Sequence, residues 1–97
     1  MITSKQRAYL RGLANELQPI IYVGKEGITP GTIQQVEEDL EAHELIKGCV
    51  QPNCPLEARE VLSSLCETCD AEPVQAIGRR FCLYRPSEEK PTIVLPS

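Results

Sequence analysis

The sequence predicts an α/β domain with one mixed sheet, and three observations carry that expectation. A run of β-favouring residues, Ile20 to Val23, stops at a glycine and gives way to a helix start. Apolar residues recur at helical spacing in three separate stretches. Two strand-like runs near the end, Val74 to Ile77 and Arg80 to Tyr84, flank a Gly-Arg pair of the kind that closes a hairpin. The order is α-β-α-β-α-β-β. Two strand–helix–strand units call for right-handed crossovers and parallel pairing, and the hairpin adds an antiparallel pair. The expected product is a mixed four-stranded sheet with helices packed against it.

The first helix starts in a capping box, Thr3 to Gln6, and runs from Ser4 to about Leu17. Leu10, Leu13, Ala14 and Leu17 form its apolar stripe, and Lys5, Arg7 and Arg11 its other face. Pro19 ends it. Ile20 to Val23 has no polar break, as a strand buried on both faces would. Thr29 followed by Pro30 is an N-cap with proline at the first helical position. The helix it opens extends to about Ala42, with Ile33, Val36 and Leu40 inward and Glu37, Glu38, Asp39 and Glu41 outward.

Leu45 to Val50 is the second strand and Gln51 to Pro55 a turn-rich link. A third helix from about Pro55 to Cys69 buries Ala58, Val61, Leu62, Leu65 and Cys69. The Gly78-Arg79 loop suits a type II′ hairpin. Residues 1–86 make the domain. PSEEKP then reads as a linker and residues 87–97 as a tail, with a short strand at Ile93 to Leu95 as the alternative.

At 97 residues the chain has room for one core, burying roughly 60–65% of the unfolded surface. Its 41% apolar and 25% charged fractions are those of an ordinary folded domain. No apolar run approaches the ~18 residues of a membrane span, and MITSKQR holds no secretory segment, so a cytoplasmic monomer with no membrane partner is expected. The net charge of −4 is unevenly spread. Residues 37–72 hold ten acids against Lys47 and Arg59, net −8, and the remainder holds eight bases against four acids, net +4. A polyanion would meet one side of such a dipole.

Between the first strand and the second helix lie Gly24, Lys25, Glu26 and Gly27. Glycines permit close backbone approach, and the amides, the helix dipole and Lys25 favour a phosphate at one spot. Arg79 and Arg80 at the hairpin tip, Arg85 beyond it and the Lys5, Arg7, Arg11 face supply further basic contacts. Tyr22 and Tyr84 could stack a base, but a strand tyrosine is more often half-buried core with its hydroxyl at the rim, and the aromatics are too few for a stacking platform.

Taken together, LRGLA (Leu10 to Ala14), VGKEGIT (Val23 to Thr29), HELIKG (His43 to Gly48) and VQAIGRRFCLYRP (Val74 to Pro86) resemble the CRM domain, named for chloroplast RNA splicing and ribosome maturation, in its stand-alone bacterial YhbY-like form. The resemblance implies a fold similar to the C-terminal domain of translation initiation factor three. It also implies RNA binding through a GxxG loop comparable to that of KH domains, and a role with precursors of the large ribosomal subunit. By position the loop falls on Gly24, Lys25, Glu26 and Gly27, and the family's basic residues on Lys5, Arg11, Lys47, Arg79 and Arg85. The chain departs from the pattern at Glu26, where a small or amide residue is commoner. It departs again at Cys69-Asp70, where a single glycine often closes the third helix.

Other chemistries fare less well. Cys49, Cys54, Cys66 and Cys69 superficially match a zinc spacing, but the third helix would hold Cys54 and Cys66 about 12 residues, or ~18 Å, apart. Neither metal nor cofactor is therefore expected. Cys66 and Cys69, one turn apart, read as buried thiols rather than a redox pair. His43 is the only histidine and no nucleophile–base pattern is present, so no enzyme is expected. The competing reading is a protein-interaction adaptor that uses the acidic second-helix face, Glu37 to Glu44.

Overall fold

Each helix begins where a side chain takes up an otherwise unpaired amide. The computed structural model describes residues 2–97, and the elements among them are α1 (Ser4–Ala14), β1 (Ile21–Val23), α2 (Pro30–His43), β2 (Leu45–Val50), α3 (Ala58–Cys69), β3 (Glu72–Ile77) and β4 (Arg80–Tyr84). Thr3 Oγ1 accepts from the Gln6 amide at 3.1 Å while Gln6 Oε1 accepts from the Thr3 amide at 3.0 Å. Thr29 and Thr32 repeat this reciprocal pairing in α2. Before α3 the Glu57 amide donates to the Glu60 carboxylate at 3.0 Å. Such caps contribute about 1 kcal/mol each.

The strand order is β1-β2-β4-β3, with β1 parallel to β2 and both remaining pairs antiparallel. Thus β3 runs parallel to β2, as the second crossover requires, but the returning arm of the hairpin sits between them. Helices α2 and α3 cover one face around Ile21, Val23, Val36, Leu40, Ile46, Leu65, Phe81 and Leu83. The α1 stripe, Leu10 and Ala14, covers part of the other with Leu45, Val74, Cys82 and Tyr84. Gly48 faces Phe81 in register, and a Cβ there would stand 2.2 Å from the ring, so this glycine makes room for the aromatic.

Several boundaries and one burial pattern differ from the sequence reading, with β1 starting at Ile21 rather than Ile20 and β3 at Glu72 rather than Val74. Helix α1 stops at Ala14, and the next turn is tightened by Glu16 and Leu17 amides donating to the carbonyls three residues back. Helix α3 starts at Ala58, with Glu57 in extended conformation before it and the Glu60 carboxylate reaching back to the Glu57 amide. Strand β1 is not buried on both faces. It lies at the sheet edge, beyond the reach of α1, so Tyr22 is 58% exposed between two buried neighbours.

The segment expected as a linker and tail forms no strand, yet it is bound to the body of the domain. Glu44, only 1% exposed, accepts from the amides of Ser87, Thr92 and Ile93 and from the Thr92 hydroxyl, at 2.7–2.9 Å. Glu41 accepts from the Ser87 hydroxyl and from the amides of Glu88 and Glu89. Ile93 and Leu95 pack against the α1 cluster. Two carboxylates at the end of α2 therefore organise a strap that the sequence presented as free chain.

Candidate nucleic-acid interface

Gly24 O accepts from Gly27 N at 2.9 Å, closing a turn with Lys25 and Glu26 at its corner. Gly27 has φ +69°, which a glycine adopts without penalty, and it lies buried over Leu56. Lys25 and Glu26 are exposed, and their amides donate to no protein acceptor among the described residues. The loop therefore offers less than the sequence suggested. The Gly27 amide is spent within the turn, and the Thr32 amide of α2 is spent on Thr29. Gly24 faces the Gln51 side chain rather than open space. The Lys25 and Glu26 amides and one ammonium remain at the corner of the turn, with the Glu26 carboxylate beside them.

The strand register explains what joins them. The last residues of β1, β2 and β3 and the first of β4 share one end of the sheet, so the GKEG turn, the Gln51–Pro55 link and the Gly78-Arg79 hairpin cluster there. Val50 N donates to Arg79 O at 2.7 Å and Gln51 N to Val23 O at 2.8 Å, locking the three connections together. Gly78 has φ +59° and Arg79 does not share the positive sign, in keeping with the expected type II′ turn. Arg79 and Arg80 are exposed. A depression of about 270 Å³ opens here between Gln51, Leu56, Arg59 and Arg79. Arg59, at the start of α3, belongs to no sequence motif, and only the fold brings it to this depression.

The other predicted basic residues do not all join this cluster. Lys5 donates to Ser97 O at 3.2 Å and Arg7 to Pro73 O at 3.1 Å, both on the α1 side of the sheet, where Arg11 is exposed. Lys47 is half-buried on the same side, in register with Cys82. Arg85 stands at the opposite end of the sheet. Its guanidinium binds the Glu37 carboxylate and the Cys69 carbonyl, each at 2.8 Å, and reaches Glu37 O at 3.4 Å. The Arg85 hydrogen bond holds the Glu37 carboxyl below its ordinary range.

The acidic face of α2 is likewise largely spent. Burial alone would raise the Glu44 pKa, but its four hydrogen bonds outweigh that and hold it at about 2. The Ser87 hydroxyl and two amides lower that of Glu41. With Glu37 on Arg85, only Glu38 and Asp39 of this face lack a partner among the described residues. These engagements account for acids at the helix end that the macrodipole disfavours.

The cysteines do not converge. Cys54 precedes α3 while Cys66 and Cys69 lie buried near its far end, where burial pushes their thiols up to about 12 and about 11. Thiolates, the species needed for redox exchange or metal binding, are disfavoured there. Tyr84 is 4% exposed and cannot stack a base, whereas Tyr22 is open. His43 is exposed at the last position of α2.

Comparison with known proteins gives concordant matches. The family model for the CRS1 / YhbY (CRM) domain matches residues 2–85. The chain is 42% identical over 96 residues to the probable RNA-binding protein YqeI of Bacillus subtilis, covering 99% of this chain and 100% of that protein. It is 36% identical to an RNA-binding protein of Haemophilus influenzae, over 91% of this chain and 89% of the relative. The solution structure of a Staphylococcus aureus protein superposes with a TM-score of 0.83 at 42% identity, covering 99% and 100% of the two chains.

Proposed function

Because this chain belongs to the CRS1 / YhbY (CRM) domain family, we propose that it binds RNA in the cytoplasm as a non-catalytic monomer and assists assembly of the large ribosomal subunit on its precursor RNA. The observation that carries the RNA reading is the clustering of Lys25, Arg79 and Arg80 with two unspent turn amides at one end of the sheet. A nucleotide backbone laid there meets charge and donors without any base-specific group, so recognition is of phosphate and shape. Acidic α2 and α3 lie across the sheet, carrying six carboxylates against one arginine, and they set the orientation of approach.

Neutralising roughly four phosphates gives about a 50-fold loss of affinity for single strands between 50 and 200 mM salt. A gel-shift titration over that range checks it, and a flat response overturns the electrostatic reading. The ribosomal part is tested by sedimentation. The protein should co-migrate with precursor large subunits and leave them at high salt. Co-migration that survives nuclease treatment would instead assign it a protein partner.

A further inference from the structure

Beyond the loop end, one half of a sheet face is left uncovered. On the side opposite α2 and α3, helix α1 packs only over the half holding Leu45, Val74, Cys82 and Tyr84. The register then sets Tyr22 beside Cys49, Cys49 beside Arg80 and Arg80 beside Ile77, one row across all four strands. Tyr22 is 58% and Ile77 65% exposed, Arg80 is exposed and Cys49 half-buried. Lys47, two residues from Cys49 along β2, points to the same face. Neither this row nor the register partners of Lys47 include a carboxylate.

We propose that this open half-face is a stacking platform for unpaired RNA bases, with Tyr22 supplying the ring and Arg80 and Lys47 flanking it. The inference rests on the RNA reading above and extends its interface from the loop onto the sheet. Two features select this occupant. The first is charge: Arg80 and Lys47 have no acid between them in the strand register, and the Glu16 carboxylate lies at the α1 edge of the groove that Lys47 lines. The second is continuity: Tyr22 stands two residues before Gly24, about 7 Å along the strand, so RNA with a phosphate on the GKEG turn carries a neighbouring base over the ring. The Tyr22 hydroxyl donates to Pro19 O at 3.2 Å, which fixes the ring back along β1 while the residue stays 58% exposed. Stacking needs no particular base, but it does need an unpaired one, since a duplex hides its base faces.

The test measures affinity of the whole protein for a mixed-sequence single-stranded 12-nucleotide RNA and for a duplex of the same length, using Tyr22→Leu, Tyr22→Phe and Lys25→Ala. Tyr22→Leu should weaken single-strand binding about 5- to 100-fold and leave the duplex unchanged, while Tyr22→Phe stays within about twofold. The chain has three tyrosines and no tryptophan, so single-stranded RNA should quench tyrosine emission in the wild type, and Tyr22→Phe should abolish most of that quench. Thermal melts of each variant report folding, and the quench in the near-isosteric Tyr22→Phe stays decisive even if Tyr22→Leu unfolds. If Tyr22→Leu binds single strands as the wild type does while Lys25→Ala binds more weakly, the platform is overturned and the loop reading stands. If neither variant changes affinity, or the wild type binds no RNA, both fall. Equal losses on single strand and duplex make Tyr22 a structural support and overturn the platform. So does unchanged RNA binding with loss of a co-purifying protein, which would hand the face to that partner.

Discussion

Where β1 and β2 finish, Lys25, Glu26, Arg79 and Arg80 are exposed with no side-chain partner among the described residues; where they begin, Glu37, Glu41, Glu44 and Arg85 are each bonded inside the fold. Each set holds four charged groups, three bases and one acid at the loop end and three acids and one base at the other. What separates them is chain path. At the far end α2 and α3 stop together and the strap returns across them, so charges there find partners. At the loop end three short connections turn back into their own strands and leave their tips unpaired. A charge in the sequence therefore says nothing of whether it is available to a ligand, and the contrast can be broken in graded steps.

The largest effect should come from Glu44→Gln, which sets an amide among four donors and should cost about 2–4 kcal/mol by denaturant unfolding. Hydrogen exchange of the 87–93 amides should accelerate while the folded variant keeps its RNA affinity. This carboxylate also fixes an acid response. Its pKa is lowered from 4.5 to about 2, so its stabilisation is fully present above about 4.5 and is lost as pH falls through about 2. Wild-type melting temperatures should fall over that window more steeply than those of Glu44→Gln.

Next comes Arg85→Ala. It leaves the Cys69 carbonyl and Glu37 without their cation, and solvent around the pair limits the cost to about 1–2 kcal/mol, again with RNA affinity unchanged. An affinity loss in a folded Arg85→Ala chain would return this residue to the interface. At the opposite end Lys25→Ala should weaken RNA binding about fivefold in a gel shift and leave the melt within ~0.5 kcal/mol of wild type. The smallest change is a gain. Asp70 closes α3 at φ +54°, so Asp70→Gly should stabilise by about 0.5–1 kcal/mol.

The element order and the β2 and β4 boundaries were legible because local signals set them. Thr29-Pro30 and Thr3 to Gln6 cap as read, and Gly78 turns the hairpin. Glu44 was not legible. Its neighbours in sequence are surface acids, and only a segment more than forty residues away makes it an interior hub. The ion pair of Arg85 was hidden for the same reason, since its partners lie on α2 and at the end of α3. Tyr22 was misplaced because an unbroken apolar run looks the same whether a strand is central or at an edge. The GKEG turn was found, but which of its amides remain free depends on one internal hydrogen bond that no motif encodes.

The position of β4 has a consequence for how the protein is made. The strand synthesised last is the one both halves need, because Phe81 fills the space above Gly48 and Leu83 lies fully buried between β2 and β3. A nascent chain that has emerged only as far as α3 can set its helices against β1 and β2 but lacks Phe81 and Leu83 from the middle of the core. Closure of the core then waits for residue 84, and until that point the incomplete chain leaves apolar surface open to proteases and chaperones.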